Sequence, residues 1–113
     1  MTPGDLVTQT DTDGDRVVLS VHGDVDLVSS PELRRALDQV LTESSDVVLD
    51  LSGLTFIDSS GLSALVDAHR KARDAGGVVV LREPPSMLRR LLDITRLDGL
   101  LVVEPSRATD EQA

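Results

Sequence analysis

Cysteine, tryptophan and tyrosine are absent, and Phe56 is the only aromatic residue among 113. Without cysteine there are no disulfides and no thiolate metal sites, which fits a reducing compartment. Histidine is nearly missing too. His22 and His69 share no ligand spacing, so a histidine-held metal is not expected. Positive charge is scarce: 11 Lys and Arg stand against 20 Asp and Glu, for a net charge of −9. Nucleic acid and anionic membranes are bound through clustered Lys and Arg, so neither is an expected partner. No apolar run approaches the ~20 residues that cross a bilayer. The opening MTPGDL has neither a basic start nor an apolar stretch, so no secretory signal is read and a cytoplasmic address is expected.

What remains is 40% hydrophobic, nearly all Leu, Val, Ile and Ala, so the core is aliphatic. The length fits one domain with a core of its own. We place that core at about 5–104 of a single domain spanning 1–113, with 105–113 as a polar tail.

Residues 6-LVTQT-10 and 16-RVVLSV-21 read as strands around 11-DTDGD-15. Asp13-Gly14 signals a tight antiparallel hairpin. The acidic turn is not an EF-hand, whose sixth and twelfth positions need Gly and Glu where Arg16 and His22 stand. The segment 23-GDVD-26 reads as a loop leaving the second strand. In 30-SPELRRALDQVLT-42, Ser30 suits the N-cap and Pro31 the first helical position. Leu33, Ala36, Leu37, Val40 and Leu41 form its apolar face. The run 47-VVLDL-51 is a buried strand. A helical stripe of Leu62, Leu65, Val66, Ala68 and Ala72 follows and ends at Gly76-Gly77. Then come a strand at 78-VVVL-81, a helix through Leu88, Leu91 and Leu92 ending near Thr95, and a strand at 100-LLVV-103. The order is ββαβαβαβ. It predicts an α/β fold: one mixed sheet, a parallel core plus an N-terminal antiparallel hairpin, with helices packed against it.

The candidate site is 56-FIDSSGL-62. A hydrolase elbow G-x-S-x-G is incomplete at Ser59, because Ile57 stands where the first Gly belongs. His69 is ten residues on along one helix, ~15 Å away, too far to serve Ser59 as a base. There is no phosphate loop, and the only lysine, Lys71, lies mid-helix. A hydroxyl at a helix mouth is first a cap. Yet two serines stand together where one cap suffices, and Gly61 removes a side chain where another molecule could approach. Helix N-termini also accommodate phosphate. From these residues alone, a helix cap and a phosphorylation switch both remain open.

The segment 47-VVLDLSGLTFIDSSGLSAL-65 resembles the core signature of STAS domains, specifically the bacterial anti-sigma factor antagonists. The resemblance extends over 23-GDVDLVSSPELRRAL-37 and 76-GGVVVLREPPSMLRRLLDITRLDGLL-101. It implies a protein without enzymatic activity or cofactor. Such a protein binds an anti-sigma factor serine kinase and so releases a sigma factor. By position, Ser59 is the residue the kinase phosphorylates, which ends binding; a PP2C-type phosphatase restores it. Asp24, Asp26, Asp58, Ser60, Gly61 and Leu62 are the implied partner-binding neighbours, and the monomer is the expected state. The alternative keeps the fold but makes the chain a lone STAS subunit of a lipid-transport ATPase complex or a stress-sensing assembly. There the Ser59 loop is a docking surface.

Overall fold

A computed structural model describes residues 4–104. Five strands and three helices follow in the order β1 (Val7–Asp13), β2 (Arg16–Val25), α1 (Ser30–Glu43), β3 (Asp46–Ile57), α2 (Ser59–Asp74), β4 (Val78–Arg82), α3 (Ser86–Ile94) and β5 (Val102–Val103). A 3-10 turn, Leu97–Gly99, precedes β5. The expected ββαβαβαβ order stands. The expected polar tail lies outside the described residues.

The strands lie in sequence order, β1-β2-β3-β4-β5. β1 pairs antiparallel with β2 through a two-residue loop, with Asp13 opposite Arg16. All later pairings are parallel. Each parallel crossover steps in the same direction, so right-handed connections put α1, α2 and α3 on one face of the sheet. The side-chain alternation agrees. Leu19, Val21, Val47, Leu49, Leu51, Val79 and Leu81 form one cluster with Leu33 and Leu37 of α1, Leu62 and Leu65 of α2, and Leu88 and Leu92 of α3. Burying each of these leucines contributes about 1.5–3 kcal/mol.

The opposite phase of the strands carries a row of valines, Val18, Val48 and Val80, in register across β2, β3 and β4. Val48 is fully buried although it lies away from the helices. A charged cluster explains the cover. Arg82 of β4 bonds Glu104 at 2.7 Å and also reaches Asp13 of β1 at 3.1 Å. Two strands separate β4 from β1, so the twisted sheet must coil to bring the hairpin tip over this face. Arg16 completes the cluster, 3.1 Å from Asp13 and 3.8 Å from Glu104.

β1 runs on to Asp13 and β5 is only Val102–Val103, against expected strands at 6–10 and 100–103, and three boundaries nearer the site also differ from expectation. β2 does not end at His22 but runs on to Val25, so Gly23, Asp24 and Val25 belong to a strand rather than a loop. β3 continues past Leu51 to Ile57, and the two extensions pair with each other, Val25 opposite Ile57. Irregular register at Ser20/His22 and Gly23/Asp24 hides the alternation. At α1, the N-cap position falls to Ser29, and Ser30 is buried inside the helix.

Candidate functional site

The extended ends of β2 and β3 carry both loops of the site. Val25 and Ile57 pair at the last register position, and the Asp58 N–H donates to the Val25 carbonyl at 3.1 Å. The two strands therefore release their chains side by side, one toward α1 and one toward α2.

Asp58, not Ser59 or Ser60, caps α2. Its backbone is extended (φ −112, ψ −169) and its carboxylate accepts the N–H groups of Ser60 at 2.9 Å and Gly61 at 3.3 Å. The Ser60 hydroxyl donates to the same oxygen. That hydroxyl does most to hold the Asp58 carboxyl below the usual carboxylate range. The Gly61, Ser60 and Leu27 backbone N–H groups add to it, against a partial opposing effect of burial.

Asp26 builds the second loop in the same manner. Its Oδ1 accepts the N–H of Val28 at 3.0 Å and of Ser29 at 2.9 Å. The Ser29 hydroxyl accepts from the Asp26 N–H at 3.0 Å, and its own proton faces both the Asp24 carbonyl and Asp26 Oδ1. The Ser29 N–H and hydroxyl lead in lowering the Asp26 pKa, while the nearby Asp58 charge works in the other direction. The fold thus brings Asp26 and Asp58 into mutual electrostatic range. Asp24 is committed elsewhere: its carboxylate accepts from the Thr55 hydroxyl, and its N–H donates to the Gly4 carbonyl at 2.8 Å.

Ser59 is the first residue of α2 and is exposed. Its hydroxyl makes no hydrogen bond among the described residues. Ser60 is half-buried and held by Asp58. Gly61 and Leu62 face inward. A Cβ at Gly61 would lie 2.5 Å from Ile57 Cγ1 and 2.8 Å from Val25 Cγ1. The space that glycine leaves is therefore filled by the protein's own core. Leu62 belongs to the same cluster. Both shape the loop and present no side chain to a partner. His69 is 3% exposed on the inner side of α2, with no partner for Nδ1 among the described residues, whereas Ser59 faces outward. That arrangement offers Ser59 no base on its own helix. Phe56, half exposed, turns toward α3 and lines a cleft of about 540 Å³ with Ile57, Ser86, Met87, Arg90 and Leu91.

Two residues were missed by reading the sequence. Leu27 and Val28, between the Asp26 turn and α1, are 76% and 87% exposed. Their signal was present: an apolar pair belonging to neither the strand's alternation nor the helix's stripe.

No described helix is long and apolar enough to cross a membrane. A family model described as "Mlab, STAS domain" matches residues 8–103. The chain is similar to the anti-sigma-B factor antagonist of Bacillus subtilis (strain 168), with 28% identity over 85 residues, covering 75% of this chain and 78% of that protein. The crystal structure of an anti-sigma factor antagonist from Mycobacterium paratuberculosis matches with a TM-score of 0.79 and 30% identity, over 96% of this chain and 92% of the other. The Bacillus cell fate determinant SpoIIAA in its phosphorylated form shares the fold, with a TM-score of 0.68 at 16% identity over 94% of this chain and 98% of the other.

Proposed function

Because the chain belongs to the STAS domain family, we propose that it works as an anti-sigma factor antagonist whose Ser59 is the switch. In this reading the unphosphorylated chain, a monomer in the cytoplasm, binds an anti-sigma factor serine kinase and so frees the sigma factor. The observation that carries the switch is the exposed Ser59 hydroxyl, without a hydrogen bond among the described residues, next to the carboxylates of Asp58 and Asp26.

The kinase supplies ATP. Ser59 Oγ forms a bond to the γ-phosphorus, the bond to ADP breaks, and the hydroxyl proton passes to a base on the kinase. The product carries about two negative charges. At a bare helix N-terminus the free N–H groups would absorb that charge. Here Asp58 already takes the N–H groups of Ser60 and Gly61. The phosphate therefore meets fewer free N–H groups than a bare helix end would offer, and adds its charge next to Asp26 and Asp58. A docked partner matched to the carboxylates alone is expelled. A hundredfold loss of affinity needs only about 2.8 kcal/mol. A PP2C-type phosphatase returns the hydroxyl by hydrolysis.

The test is retention of proteins from native lysate on immobilised wild-type, Ser59→Asp and Ser59→Ala chains, with bound proteins identified by mass. Wild type and Ser59→Ala are expected to retain a small serine kinase that Ser59→Asp loses. Equal retention by all three, or capture of a membrane-transport ATPase, would overturn the switch.

A further inference from the structure

Leu27 and Val28 do nothing visible for the fold. Neither contributes to the core, and both point into solvent at 76% and 87% exposure. Single exposed aliphatic residues are common and need no explanation. These two are adjacent, and their backbone is fixed at three points. The Val28 and Ser29 N–H groups are bound by Asp26, and the Leu27 N–H faces the Asp58 carboxylate. A turn that held only polar side chains would serve α1 equally well. This one displays a Leu-Val pair between the two carboxylates of the site, on the loop beside Ser59.

We propose that Leu27 and Val28 are the apolar anchor of the docking face, seated in an apolar recess of the partner kinase whose rim carries Lys or Arg. The inference rests on the antagonist reading and adds residues and a partner surface to it. The occupant follows from charge. The anchor is bracketed by Asp26 and Asp58 in a chain of net charge −9, so an acidic surface or a second copy of this chain would meet like charge at the rim, and a neutral one would leave the two carboxylates without a partner. Interfaces concentrate their binding energy in a central desolvated apolar cluster within a polar rim. The aliphatic pair and its flanking carboxylates have that arrangement. The phosphate on Ser59 then acts at the rim, while the anchor supplies affinity.

The experiment is calorimetric titration of the purified kinase, identified as above, with wild type, Leu27→Ala, Val28→Ala, the double variant, and Leu27→Met/Val28→Ile. Melting temperatures should be equal throughout, because the replaced side chains are exposed. Each alanine is expected to weaken binding about tenfold and the pair about a hundredfold. The conservative pair should restore it. Raising the salt should weaken the double variant as steeply as wild type, since aliphatic contacts are not screened, whereas Asp26→Asn should flatten the salt dependence. If the double variant binds within about twofold of wild type while Ser59→Asp does not bind, the anchor is wrong and the switch stands. If wild type binds no kinase, both readings fall.

Discussion

Substituting Gly61 by alanine sets two effects against each other. Alanine is the better helix former by about 1 kcal/mol in a helix interior, and less in the first turn. The packing acts the other way. The new Cβ would stand 2.5 Å from Ile57 Cγ1, 2.8 Å from Val25 Cγ1 and 2.9 Å from Ile57 Cδ1. All three distances are well inside van der Waals contact. Neither neighbour can yield easily, for Val25 is fully buried and Ile57 nearly so. Overpacking of this kind costs about 1–3 kcal/mol. The packing term wins, for a net loss of about 0.5–2 kcal/mol, or a melting temperature lower by roughly 2–8 °C for a domain of this size. Thermal unfolding followed by circular dichroism measures it. A double-mutant cycle locates the cause: in an Ile57→Ala background the two contacts with Ile57 are gone and only the one with Val25 remains, so adding Gly61→Ala should cost less than it does in wild type. A Gly61→Ala chain that melts at or above wild type would refute the close-packing argument.

Two further outcomes concern pH. Asp58 and Asp26 have folded pKa values below their ordinary 3.8, so their contribution is complete above that value and is lost as pH falls through the lowered folded values. The difference in urea midpoint between wild type and Asp58→Ala should be constant from about pH 7 to 5 and shrink toward about pH 3. His69 is pushed below its ordinary 6.5 by burial, with Arg73 and Arg70 adding to the effect. The unfolded chain therefore takes up the proton first as pH falls below 6.5, and stability drops from there through the lower folded value. His69→Leu should flatten that decline in urea titrations at about pH 7.5 and 5.5; an unchanged decline would show that another group titrates.

Much of the fold was legible because aliphatic periodicity was clean. Alternation at 16-RVVLSV-21 and the helical stripe from Leu62 to Ala72 needed no tertiary information. Periodicity failed where the site begins. His22 to Asp24 and Ser52 to Phe56 carry glycine and polar residues, and they are strands because they pair with each other across an irregular register. Gly23, at φ +94, is one reason: a Cβ there would sit 2.1 Å from the Asp5 carbonyl oxygen, so the arm preceding β1 crosses directly over it. The caps were misassigned for a different reason. Asp58, Ser59 and Ser60 are all competent caps, as are Ser29 and Ser30, and local sequence does not rank them. The register of Val25 against Ile57 decides, because it fixes where each strand releases its chain. The direction of Gly61 and Leu62 was equally beyond sequence, since a glycine that admits a partner and one that admits the core look alike.

The carboxylate of Asp58 serves two loops at once, the start of α2 and the turn before α1. Neither loop can drift without breaking a bond that also holds the other. The conformational entropy of this rim is thus lost when the domain folds, not when a partner arrives, and association is left with mainly rigid-body and side-chain terms. Among the described residues, the segments at this rim are a hydrogen-bonded turn and a capped helix start, which leave a modification no open loop to order. Its effect would fall on the encounter with a partner, through charge at the rim, rather than on the shape of the free protein.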